Sequence, residues 1–232
     1  MKVAIIQSNY IPWKGYFDLI GNADLCVFLD DVQFTKNDWR NRNQILSKNG
    51  LEWITVPVGQ SIHRLIDEVS ITDSGWQELH LKKIRHNYKI GKEETFKNDL
   101  LDAIYQKNRW ANLSHLNQQT IKLIAQKYLG IKTIFESSSS YNLEGKGESR
   151  LLSLLKQMGA TSYLSGPAGA NYLNPINFSN EGIALDFFTY PSYPYYEQIY
   201  TSFISRVSII DLLLSVGPSA DRYLNYKEGL LS

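Results

Sequence analysis

The chain has 232 residues, 43% of them hydrophobic and 20% charged, and its 24 Lys and Arg nearly balance 23 Asp and Glu for a net charge of +1. That size and apolar content build a full core, and the charge balance excludes the overall basic field that draws in a polyanion, so no nucleic acid partner is expected. A single cysteine excludes an internal disulfide, and no run approaches the roughly 18 apolar residues of a membrane span, so no membrane partner is expected either.

Lys2 is followed by only four apolar residues before Gln7, too few for a signal peptide, and the expected location is the cytoplasm. Val3 to Ile6 predicts a strand, Gly15 to Asn22 a helix with Phe17, Leu19 and Ile20 at helical spacing, and Leu25 to Leu29 a second strand. Apolar runs without alternation belong to strands buried on both faces, which implies a parallel sheet covered by helices. Cys26 lies inside the second run and reads as a small buried hydrophobe.

The stretch Asn43 to Val58 predicts a β-hairpin around Asn49-Gly50, and Ile66 to Ile71 a further strand. Three helices are predicted over 75–90, 93–108 and 113–129, the first with Ser74 as N-cap and the last closed by Gly130. Strand and helix signals then alternate: a strand at Lys132 to Phe135, a helix over 147–158, strands at Thr161 to Leu164 and Ile183 to Phe187, and a helix over Ile209 to Leu214. The predicted fold is a single α/β domain over 1–232. It is a doubly wound, mostly parallel sheet of Rossmann-like kind, with a β-hairpin and a helical subdomain inserted at 75–129.

In such sheets ligands bind beyond the carboxyl ends of the strands. Three polar loops should therefore meet in one crevice: Gln7 to Trp13, Asp30 to Gln33, and "SGPAGANYL" at 165–173. Gln7, Asn9, Tyr10, Trp13 and Lys14 are the candidate ligand contacts of the first loop, Gln33 of the second, and Ser165, Gly166 and Tyr172 of the third. Asp30 and Asp31 alternate in direction, so one of them should face the crevice as a general base or oxygen ligand. A turn in which a carboxylate accepts backbone N–H bonds is the other reading.

In "DWRNRNQ" Arg40 and Arg42 share one side of an extended segment and Asn41 and Asn43 the other. The guanidinium fork suits phosphate or carboxylate, and Trp39 adds a flat face beside it. His80 follows Trp76 by four residues, on the same helical face; it is a candidate general acid or base beside the plainer reading of a core or surface histidine. The segment "YPSYPYYEQIYTSF", which includes Gln198, offers tyrosine faces to a sugar, a base or a protein, or else stiffens an edge-of-core loop through Pro191 and Pro194. No histidine spacing fits a metal site and no cofactor is assigned. The absence of GxSxG and GxxxxGK[ST] argues against hydrolase and P-loop chemistry.

Taken together, "QSNYIPWKGYFDLI", "FLDDVQFTKNDWRNRNQI", "WITVPV", "ATSYLSGPAGANYL" and "SIIDLLLSVGP" resemble the WbqC-like family over nearly the whole chain. Members of that family commonly lie beside genes for surface polysaccharide and O-antigen synthesis. The resemblance implies an enzyme that modifies an amino sugar by adding a glycyl or other acyl group, and a nucleotide-linked amino sugar is the expected substrate. A remoter likeness joins "IIQSNYIPWKGYFDLI" to the first strand, loop and helix of the nucleotidylyltransferase superfamily, including the tRNA acetate ligases. Where those carry Pro-Phe-His-x-Gly-His, this chain has Trp13, Lys14, Gly15 and Tyr16 and lacks both histidines. The likeness therefore implies the fold, with Lys14 left to neutralise a phosphate. An ATP-using or nucleotidyl-transferring ligase with Asp30 or Asp31 on magnesium, and a non-catalytic carbohydrate- or protein-binding protein, stand as the alternatives.

Overall fold

The computed structural model describes residues 1–200 and 202–226. Along them run β1 (Lys2–Ile6), α1 (Lys14–Gly21), β2 (Leu25–Phe28), the hairpin strands β3 (Arg42–Ser47) and β4 (Gly50–Thr55), and the helices α2 (Trp76–Asn87), α3 (Thr95–Tyr105) and α4 (Leu113–Leu123). Then come β5 (Ile134–Ser137), α5 (Glu148–Gln157), β6 (Ser162–Ser165), α6 (Pro175–Asn180), β7 (Ala184–Phe187) and α7 (Ile209–Val216).

Five strands form one sheet in the order β5-β2-β1-β6-β7, with every pairing parallel. Successive side chains of a strand point to opposite faces, and both faces of β2 are covered. Cys26 and Phe28 join Phe17 and Ile20 of α1 and Leu116 of α4. Leu25 and Val27 join Leu151, Leu154 and Leu155 of α5 and Phe178 of α6. Burial on both sides is why the sequence of β2 shows no polar alternation. The chain leaves β1 toward β2 and β5 on one side, then crosses to β6 and β7 on the other. The reversal falls between β1 and β6, and it opens a crevice beyond their carboxyl ends, at Ile6 and Ser165.

Between β2 and β5 the chain builds the hairpin and α2 to α4, whose buried faces continue the core that covers one side of the sheet. The Tyr88 hydroxyl ties α2 to both the hairpin and α7, donating to Asp211 Oδ1 at 3.0 Å and accepting from the Leu46 N–H at 3.2 Å.

Several elements differ from the sequence reading. The strand expected at Ile66 to Ile71 is a 3₁₀ turn over Ile66–Glu68, followed by a single bridge from Ser70 to Asn112. Its buried residues, Ile66 and Val69, are three apart, the spacing of a turn rather than a strand, and the Glu68 carboxylate accepts the Leu65 N–H at 2.8 Å. The strand expected at Lys132 to Phe135 begins at Ile134. Thr133 is spent holding the carbonyls of Ile20 and Ala23, each at 2.9 Å. The helix expected over 113–129 changes to a π turn at Ile124–Tyr128 before Gly130 takes a φ of 68°. In the hairpin Ser47 pairs with Gly50, so the turn is Lys48-Asn49 and Gly50 supplies the positive φ of 98°. The short helix α6, with Asn174 as N-cap and Pro175 behind it, has no counterpart in the sequence reading. Among the described residues no helix is long and apolar enough to cross a membrane.

Candidate ligand-binding cleft

The crevice at the reversal holds a cavity of about 550 Å³ and, beside it, a second of about 370 Å³; Asn9 and Tyr190 line both. All three expected loops reach the first lobe. Gln7 and Asn9 come from the loop after β1, Leu29 and Val32 from that after β2, and Ser165, Gly166 and Tyr172 from that after β6. The second lobe is walled by Trp13, Trp39, Tyr190 and Pro167, with Asn43 and Arg206.

The first loop is held rigidly. Ile11 has a φ of 36°, a conformation that costs a β-branched residue about 1–3 kcal/mol and persists only where the surroundings enforce it. The Asn43 amide donates to the carbonyls of Tyr10 and Ile11, each at 3.0 Å, and Ser208 Oγ donates to Ile11 O at 2.7 Å. Tyr10 N–H reaches Trp39 O at 2.9 Å and Ile209 N–H reaches Pro12 O at 2.9 Å. The "NRNQ" stretch of β3 and the start of α7 thus fix where Trp13 stands. In the third loop Gly169 lies so close to Ser165 that a Cβ there would overlap its Oγ.

Two guanidinium groups line the first lobe. Arg40 pairs with Asp38 at 2.9 Å and Arg150 with Asp31. The Nε of each is buried without a hydrogen-bond partner among the described residues, and so is Asn9 Oδ1. These atoms are closed off from solvent, as are the equally unpartnered Nε atoms of Arg42, Arg64 and Arg85 away from the lobes, so what Arg40 and Arg150 bring to the cleft is guanidinium charge.

The two aspartates do point in opposite directions, but neither lines the cleft. Asp30 is buried and accepts from Ser8 N–H at 2.8 Å, from Gln118 Nε2 at 2.9 Å and from Ser114 Oγ, joining the first loop to α4. Asp31 takes Ser138 Oγ at 2.5 Å and the Arg150 guanidinium, so it stands behind a residue of the cleft wall.

His80 lies away from both lobes, on the outer side of the hairpin with Trp53 and Leu79. Its Nδ1 meets the Tyr10 hydroxyl at 2.8 Å, and that hydroxyl meets Tyr105 Oη at 2.7 Å. Burial pushes the His80 pKa down to about 4, against a partial upward pull from the Thr55 backbone. The ring is thus neutral at pH 7, and His80 and Tyr10 hold the loop to α2 and α3 instead of facing a ligand.

Lys14 is also turned away from the cleft. Its ammonium lies 4.8–5.0 Å from the ring centres of Tyr193, Tyr196 and Phe203, with no hydrogen-bond partner among the described residues. Burial lowers its pKa to about 8, while Asp211 pulls the other way. Half of the aromatic segment thus encloses Lys14, and Tyr190 alone among its tyrosines lines the lobes. Gln198 is structural, donating to Asp211 at 2.7 Å and to Ile204 O at 3.0 Å. Arg42 lies over the Trp53 ring at 4.2 Å, so Arg40 and not Arg42 faces the cleft. Asn41 donates to Val56 O at 3.2 Å, and Gln33 bonds the carbonyl of Ile62.

Arg150, Tyr163 and Arg206 line the cleft without having been singled out from the sequence. Arg150 sits on α5 next to the apolar stripe of Leu151, Leu154 and Leu155 and carries no local signal of its role. Among the described residues no group of three or more His, Cys, Asp or Glu gathers as a metal site.

A five-stranded parallel sheet flanked by helices, with its cleft at the strand-order reversal, defines a Rossmann-like α/β protein. The model of the WbqC-like protein family matches residues 7–223, which takes in every loop of the cleft, and the chain belongs to that family. It is 43% identical over 228 residues to the uncharacterized protein Rv1507c of Mycobacterium tuberculosis (strain ATCC 25618 / H37Rv), a match covering 97% of this chain and 98% of that protein. No solved structure matches the chain.

Proposed function

We propose that the protein is a transferase that binds a nucleotide-linked amino sugar in the cleft and passes an acyl or aminoacyl group to its amine, in surface polysaccharide synthesis. The observation that carries this reading is the pair Arg40 and Arg150, two guanidinium groups that line the cleft beside the strand-order reversal. Guanidinium groups match phosphate oxygens in a fixed fork, and a cleft at this place in a Rossmann-like sheet is the usual nucleotide position. In the reaction the sugar amine attacks the carbonyl carbon of an activated acyl donor of the thioester class. The C–N bond forms as the C–S bond breaks, and the amine proton goes to the departing thiolate by way of a base. Asp31 behind Arg150 and Asp38 beside Arg40 each stand one residue removed from the lining, paired with an arginine of the cleft wall.

The test is a thermal-shift and turnover screen of the full chain with nucleotide-linked amino sugars and acyl thioesters. A ligand of the native state raises the melting temperature, and the shift should vanish in Arg150→Ala, with an acylated sugar detected by mass spectrometry. A wild type that shifts with no phosphorylated sugar sinks the reading. A second reading, carbohydrate binding without chemistry, draws on the exposed Trp39 and Trp53, whose ring centres lie 5.5 Å apart. Ligand binding with no turnover for any donor, unchanged in an Asp31→Asn variant, would favour it.

A further inference from the structure

The two lobes differ in what they can satisfy, and the difference assigns the parts of the ligand. We infer that the second lobe is the nucleobase subsite; this rests on the nucleotide-linked reading above.

The second lobe presents three large aromatic faces and few free polar groups. Trp13 and Tyr190 meet edge to face at 4.8 Å, and Trp39 is 46% exposed. Asn43 is largely engaged: its amide N–H₂ holds Tyr10 O and Ile11 O, and its Oδ1 accepts the Gln44 N–H at 2.8 Å, which leaves one lone pair. Beyond it stands the Arg206 guanidinium, 5.8 Å from the Trp13 ring centre. No carboxylate lines this lobe among the described residues.

A pyranose placed here would bring several hydroxyls to two polar side chains and leave most of them unmatched. A nucleobase has two flat faces for the aromatic walls and ring oxygens or nitrogens for Arg206. The first lobe has the opposite character. Gln7, Arg40, Arg150, Ser165 and Tyr172 offer the polar groups that a diphosphate and a sugar need. Asn9 and Tyr190 belong to both, so a nucleoside diphosphate sugar spans the junction with its base beside Trp13 and its phosphates beside the arginines.

Calorimetric titration of the full chain with UDP, dTDP, GDP, CDP and ADP, set against inorganic pyrophosphate and a sugar 1-phosphate, tests the assignment. At least one nucleoside diphosphate should bind about 10-fold or more tighter than pyrophosphate, the scale of one stacked base. Trp39→Ala and, separately, Arg206→Ala should erase most of that advantage while leaving pyrophosphate binding within about twofold. Both side chains lie at the surface, and circular dichroism of each variant verifies its fold. If pyrophosphate and sugar phosphate bind but no base adds affinity, or if neither substitution reduces the advantage, the subsite assignment is overturned and the phosphate-binding reading stands. If no phosphorylated compound binds, both fall.

Discussion

Acidification should destabilise this protein through His80. The ring is 4% exposed and burial lowers its pKa from 6.5 to about 4. Between those values the unfolded chain binds a proton that the folded chain refuses, so stability is full above pH 6.5 and is lost as pH falls toward 4. At 1.36 kcal/mol per pH unit the whole window is worth about 3 kcal/mol, a large share of a typical stability of about 5–15 kcal/mol. Carboxylates titrate in the same range, so the effect must be read as a difference. Urea unfolding of the wild type and of His80→Gln, whose amide can still accept from Tyr10, should be compared at pH 7, 6, 5 and 4. The wild type should lose about 2–3 kcal/mol more than the variant over that series. Parallel curves would show that His80 does not stay neutral in the folded protein, and would refute the burial argument.

Lys14 predicts the opposite trend at alkaline pH. Its folded value of about 8 lies below the ordinary 10.5, so the unfolded state holds the extra proton and stability rises with pH. From pH 8 to 9.5 the gain should be about 1–2 kcal/mol, visible in urea melts and absent from Lys14→Met; above pH 10 the raised hydroxyls of Tyr10, Tyr16 and Tyr88 reverse it. Asp30→Asn turns one acceptor oxygen into a donor facing Ser114 and Gln118, and should cost about 2–4 kcal/mol in the same assay; a loss below about 0.5 kcal/mol would deny Asp30 its structural role. Gly169→Ala forces its Cβ onto Ser165 Oγ and to 3.0 Å from Leu173 Cδ1. It should cost about 1–3 kcal/mol, part of which Ser165→Gly restores; an unchanged melting temperature in the single variant would refute the close approach.

What the sequence by itself determined is the frame: short apolar runs without alternation specify strands buried on both faces, and runs such as Phe17, Leu19 and Ile20 specify the helix that covers them. From that alone follow a parallel α/β sheet and polar loops gathered at the strand ends. Which side chains of those loops meet a ligand was decided by tertiary packing. Asp30, Lys14, His80 and Arg42 all have the chemistry of a site. Yet Asp30 is enclosed by Ser8, Ser114 and Gln118, Lys14 by three aromatic rings, and His80 is held by the Tyr10 hydroxyl, while Arg42 lies over Trp53. Arg150 and Arg206, silent in their own segments, reach the cleft because α5 covers the sheet beside β1 and the chain before α7 passes over Trp13. Local sequence sets the periodicity that buries one face of an element. The partner a polar side chain finds lies 70–119 positions away in cases such as His80 with Tyr10 or Arg150 with Asp31, and only the folded chain brings those positions together.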